Sequence, residues 1–281
     1  MQWAHITARA VCGRSGIVTE VGSSGVYNYS TKRVPFQNIM DNKEILKKVF
    51  LLHELYKEGK IKTLTQHEVN PGLDKSSREN FLYFTLPPCL NFQRNSPAMW
   101  QAALKTWNDR ITNYLFFPEK IVKVSSQKIQ NDLLKHKLSL QKNKHTQIWS
   151  TISQTLNEHF RNDPRAVMEA GNFDAQKILV LVQKDKKKLF PYLSGPKMAN
   201  YWLYILSQYT DVKLSNMHYI SIIPDTHVIQ CSVKLGLVDE KASSERVASV
   251  WQELLSGTTL NPIDIHPVLW NWSRNNFQPT V

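Results

Sequence analysis

Two charged residues sit at positions where charge invites chemistry. Lys197 follows Gly195-Pro196 and opens an apolar run, Met198 to Gln208, with the spacing of a helix. A cation in a first helical turn opposes the helix dipole, which makes this lysine a poor choice for a plain surface residue. Further on, Pro224-Asp225 opens a second helix carrying Val228, Val233 and Leu235. Asp225 then stands at a helix N-terminus, where the dipole and free N–H groups favour its ionised form and where capping is its ordinary role. An amine and a carboxylate are the groups of nucleophilic and acid–base chemistry.

The surroundings of Lys197 add a binding function. Residues 184–208, KDKKKLFPYLSGPKMANYWLYILSQ, join a basic helix end to the apolar helix through a connector holding Pro191, Gly195 and Pro196. Two helices joined by such a turn form a helix-hairpin-helix. Backbone N–H groups of the turn, at Ser194 and Gly195, can hold a DNA phosphate, with Lys186, Lys187 and Lys188 adding charge. A lysine run alone is usually just a solvated face.

The elements that must position these groups are helical. Ile45, Leu46, Val49, Leu52 and Leu55 recur at helical steps from Asn42, and Gly59 ends that helix. A loop over 63–76 precedes a short helix at 78–85, which Pro87-Pro88 interrupts. Ser96-Pro97 reads as a cap and first-turn proline for a helix through Met99, Trp100, Trp107 and Ile111. Helices follow at 125–134, 146–160, 163–170, 174–187, 197–209, 225–235, 243–256 and 263–276, and the basic stretch 135–145 is expected as an exposed loop. The first 41 residues contain four of the ten glycines and the pattern of a small hairpin around Ser23-Ser24-Gly25. They are expected to form an irregular or β-hairpin N-terminal extension (1–41) to one helical unit (42–281).

Composition narrows the partners. Thirty-five Lys and Arg against 23 Asp and Glu give a formal charge of +12 over 281 residues, suited to a polyanion such as nucleic acid or an anionic membrane surface. No stretch approaches the roughly 18 to 20 apolar residues of a membrane span, and the first residues lack a signal-peptide core, so a soluble intracellular protein is expected. Three scattered cysteines, Cys12, Cys89 and Cys231, argue against a disulfide framework and against a four-cysteine metal or cluster site. No cofactor or metal is expected.

Taken in order, Gly195-Pro196-Lys197-Met198-Ala199-Asn200 and then Asp225-Thr226-His227-Val228 resemble the hairpin and catalytic aspartate segments of the helix-hairpin-helix DNA glycosylase superfamily, of which endonuclease III is a familiar member. The long linker between them, LGLVD at 235–239 and IDIHPVLWNWSR at 263–274 are most similar to archaeal-type 8-oxoguanine glycosylases. The resemblance covers 173–277. Two departures stand out: the hairpin is reduced to Tyr192-Leu193-Ser194-Gly195, poor in glycine, and His266 replaces an acidic residue four positions before Trp270.

The resemblance implies a mainly α, two-lobed helical fold and a bifunctional enzyme that excises an oxidised purine, 8-oxoguanine, and then nicks the strand. Lys197, partly buried so that its amine can shed a proton, would attack C1′ and form a Schiff base. Asp225 would stabilise the cationic sugar and help move the lysine proton. Trp100, Tyr201, Trp270 and His266 are the candidates for the pocket that receives a flipped base, although tryptophans on amphipathic helices are more often core. His227 reads as structural. The partner would be damaged double-stranded DNA, bound by a monomer. A non-catalytic nucleic-acid-binding protein of the same fold, a glycosylase for alkylated or deaminated bases, and a helical protein adaptor are the alternatives.

Overall fold

The structure, a computed structural model, describes residues 42–63, 68–91 and 94–281. The expected N-terminal extension and its hairpin lie outside the described residues. In chain order the helices are α1 (Asn42–Lys57), α2 (Arg78–Thr85), α3 (Ser96–Asn108), α4 (Pro118–Ile121), α5 (Ser126–Lys135) and α6 (Lys142–His159). They continue with α7 (Arg165–Ala170), α8 (Ala175–Val180), α9 (Pro196–Tyr209), α10 (Thr226–Lys234), α11 (Ser244–Leu255) and α12 (Pro262–Arg274). Among the described residues the only β-pairing is an isolated parallel bridge between Asp174 and Ser215.

Local chemistry sets these boundaries. Ser77, Ser125, Asp174, Asp225 and Ser243 each accept the backbone N–H of the third residue on, satisfying one of the orphan donors at the starts of α2, α5, α8, α10 and α11. Asn261 and Asp264 form a reciprocal capping box at the start of α12. Gly59, at φ +71°, ends the turn after α1 in a conformation that a side chain resists. At Gly171 a Cβ would run into Ile178, so the α7–α8 corner closes only around glycine.

Two apolar cores result. Helices α2 to α9 surround one, built on Phe81, Phe84, Trp100, Phe116, Trp149, Phe190 and Trp202. The other joins α1 to α10, α11 and α12 through Ile45, Val49, Leu52, Val228, Trp251, Leu269 and Trp272. Thus α1 leaves its sequence neighbours and completes the C-terminal core, while the hairpin belongs to the other one. Cys89 and Cys231 are buried thiols.

Several boundaries differ from expectation. The cap of α3 is Asn95, whose Oδ1 accepts from Ala98 N at 2.9 Å, one residue earlier than Ser96. That helix ends at Asn108, leaving Ile111 beyond it and 62% exposed. The basic stretch is only partly a loop, because α6 starts at Lys142 and Leu138, Ser139 and His145 are buried. Arg94 holds this corner by donating to the carbonyls of Leu138 and Lys137, at 2.6 Å each. The first hairpin helix is α8 followed by a π-helical turn, Leu181–Asp185, and a 3-10 turn, Lys187–Leu189. No described helix is long and apolar enough to cross a membrane.

Candidate active site

Lys197 occupies the first turn of α9, which Gly195 begins without a side-chain cap and Pro196 enters with its φ already set. Asn200, one turn later, is buried and ties two segments together: its Nδ2 donates to Pro196 O at 2.6 Å and its Oδ1 accepts from Ser221 N at 2.8 Å. The approach to α10 is thereby fixed against the helix that carries Lys197. Asp225 N then donates to Ile223 O at 2.8 Å, and Asp225 Oδ1 accepts from Val228 N at 2.9 Å. The expected N-cap geometry is present.

Lys197 and Asp225 line one cavity of about 320 Å³, together with Tyr201, Tyr204, His266, Trp270, Arg274 and Glu68. Helix α9 belongs to the first core and α10 to the second, while α12 reaches both, with Ile263 in the first and Ile265, Val268, Leu269 and Trp272 in the second, so the cavity opens where the two cores meet. Asp225, His266 and Trp270 are half-buried, whereas Lys197 is exposed at the rim, not partly buried as expected.

Of the four aromatic or imidazole candidates, three reach the cavity and one does not. Tyr201, Trp270 and His266 line it. Trp100 is fully buried in the first core, and its Nε1 donates to the Tyr201 hydroxyl at 3.1 Å. Its ring supports the pocket from behind, because its amphipathic helix turns it inward. Trp270 is held from two sides, by the His227 ring at 5.3 Å edge-on and by the Arg274 guanidinium at 4.6 Å. His227 Nδ1 lies 3.0 Å from Ser273 Oγ, which fits its structural reading.

Glu68 was not legible in the sequence. Its Oε1 accepts from the Tyr201 hydroxyl at 2.9 Å and its Oε2 from the Tyr209 hydroxyl at 3.0 Å. Burial, followed by the charge of Glu68, pushes the Tyr201 phenol well above its ordinary pKa, and the same two causes raise Tyr209 and Tyr204. These tyrosines therefore stay protonated, and Tyr201 and Tyr209 donate their hydroxyl hydrogens to Glu68.

The hairpin differs from a phosphate nest. Ser194 N donates to Phe190 O at 2.9 Å, Gly195 N to Tyr192 O at 3.0 Å and Leu193 N to Pro191 O at 2.8 Å. Phe190 and Leu193 are fully buried and draw the loop inward, while Tyr192 takes the left-handed φ of +71° that glycine would favour. The N–H groups of Ser194 and Gly195 are thus engaged within the loop and are corrected as phosphate donors. Lys187 and Lys188 are exposed and Lys186 is half-exposed beside it, and none of the three lines the cavity. Lys144, from the start of α6, lies 5.2 Å from the Tyr192 ring.

No protein-family model matches the chain, and no curated protein matches it. Among solved structures it is similar to endonuclease III in a trapped covalent intermediate with DNA, an estranged-adenine complex. That likeness has a TM-score of 0.51 at 14% identity and covers 86% of this chain and 90% of the other. The mainly helical fold of endonuclease III is therefore the fold of this chain.

Proposed function

We propose that this chain is a DNA glycosylase with AP-lyase activity that releases an oxidised purine, 8-oxoguanine, from duplex DNA. The observation that carries the reading is the meeting of Lys197 and Asp225, from two helices and two cores, in one cavity walled by Tyr201 and Trp270. The fold shared with a protein trapped covalently on DNA supports it, as does the charge of +12.

In this reading a damaged nucleotide is flipped into the cavity, and the DNA laid over the rim gives Lys197 the burial that it lacks in the free protein. The neutral Lys197 amine attacks C1′, forming a C–N bond as the glycosidic bond breaks and the base leaves with its electron pair. Asp225 has Oδ1 occupied by the Val228 N–H. Its Oδ2 faces the developing positive charge of the sugar and takes the lysine proton. Ring opening gives an imine between Lys197 and C1′. Loss of a 2′ proton then expels the 3′-phosphate and nicks the strand.

The test is incubation with duplexes carrying 8-oxoguanine, an alkylated base, a deaminated base or an abasic site, followed by borohydride. A covalent adduct on the 8-oxoguanine and abasic duplexes supports the reading. An adduct on the alkylated or deaminated duplex but not on 8-oxoguanine would keep the chemistry and change the lesion. The inward-turned hairpin N–H groups favour one rival, a DNA-binding module of the same fold without turnover, which predicts binding and no adduct on any duplex.

A further inference from the structure

We infer that Glu68 is a specificity-determining residue of the cavity, which reads the N1–H and N2–H donor edge of a guanine-derived base. The inference rests on the glycosylase reading above. Glu68 reaches the cavity from a loop far in sequence from both α9 and α10, and it is one of two carboxylates that line it, the other being Asp225. Each of its oxygens carries one hydrogen bond from a tyrosine, Tyr201 on Oε1 and Tyr209 on Oε2. A carboxylate has about four acceptor sites and no donor. Two sites are occupied by phenols that fix the plane of the group, and among the described residues the other two take no hydrogen bond, which leaves them for a ligand.

The complement of that pair is an edge with two adjacent donors. Guanine and 8-oxoguanine present N1–H and N2–H side by side, whereas an adenine-type base presents one donor, N6–H, beside an acceptor, N1, which a carboxylate repels. One of the two hydroxyls that hold Glu68 belongs to Tyr201, itself backed by Trp100 Nε1 at 3.1 Å. The reader and a wall of the cavity are therefore positioned together. Burying an acceptor pair without donors is costly, so the wrong edge is rejected more strongly than the right one is attracted.

The experiment compares excision of 8-oxoguanine and 8-oxoadenine by the full chain and by Glu68→Gln, whose amide offers one acceptor and one donor. The wild type should prefer 8-oxoguanine by about tenfold or more, and the variant should reduce that ratio by about tenfold. A ratio that is unchanged in the variant overturns the inference. Because the variant could fold poorly, a second comparison needs no mutation: a duplex carrying 8-oxohypoxanthine keeps N1–H and lacks the N2 amine. The wild type should excise it about tenfold more slowly than 8-oxoguanine, and equal rates overturn the inference. Borohydride trapping of the wild type at an abasic site, which has no base to read, is measured alongside. Trapping there with no preference between bases defeats Glu68 alone, while no trapping at all defeats the lysine chemistry and Glu68 with it.

Discussion

The indole Nε1 of Trp100 donates to the hydroxyl of Tyr201 at 3.1 Å, and this bond defines what each ring does. Tyr201 faces the cavity, and Trp100 stands behind it with no exposed surface. Trp100→Ala should therefore act through stability, at a cost of about 3–5 kcal/mol for a fully buried aromatic. Chemical denaturation measures it. A loss below about 1 kcal/mol would mean that the ring is not core.

Asp225 combines a capping role with a catalytic one, and two substitutions separate them. Asp225→Asn keeps an oxygen to accept the Val228 N–H but removes the charge, so stability should change by less than about 0.5 kcal/mol while excision falls by about 100-fold or more. Asp225→Ala should lose the cap as well, about 1 kcal/mol. Equal excision by wild type and Asp225→Asn would remove the carboxylate from the chemistry.

The hairpin predicts a division of labour in DNA binding. Lys187 and Lys188 are exposed beside it, whereas the Ser194 and Gly195 N–H groups are bonded inward. Replacing both lysines by Gln should flatten the dependence of log affinity on log salt by about 0.9 for each phosphate that the protein no longer neutralises. A salt titration in which the double variant keeps the wild-type slope would place the bound phosphates away from these lysines.

Acid sensitivity follows from His145. Burial, then the charges of Arg94 and Lys144, pushes its pKa down to about 4, and its Nδ1 accepts from Leu140 N at 3.2 Å. The folded value lies below the unfolded one of about 6.5. The neutral ring therefore contributes fully above about pH 6.5, and that contribution, on the order of 2 kcal/mol, is lost as the pH falls towards 4. Denaturation midpoints at pH 7.5 and pH 5 should differ less in His145→Gln than in the wild type. Equal differences would show that His145 does not titrate on unfolding.

The residues that sequence reading placed well share a property: their signal is local. Asp225 caps the helix that its Pro-Asp pair announces, and Lys197 begins the helix that Gly195-Pro196 announces. Glu68 had no such signal, since its role depends on Tyr201 and Tyr209, more than a hundred residues away, and it stands in a polar loop. Trp100 was legible as helical, with core as its commoner reading, but that it turns fully inward while Trp270 lines the cavity was not, because an amphipathic face does not say which of its rings turns furthest inward. The start of α6 at Lys142 was hidden by charge: lysines in a first turn argue against a helix, and the buried His145 and Thr146 outweigh them. The inward hairpin bonds depend on Phe190 and Leu193 reaching the first core, which only tertiary packing decides.

The central claim is that the Lys197 amine becomes bonded to the sugar. Its most direct test is borohydride trapping on an 8-oxoguanine duplex, followed by proteolysis and mass spectrometry of the cross-linked peptide. The account predicts a deoxyribose remnant on Lys197 and no adduct with Lys197→Gln. An adduct on another residue, or equal trapping by Lys197→Gln, would contradict it.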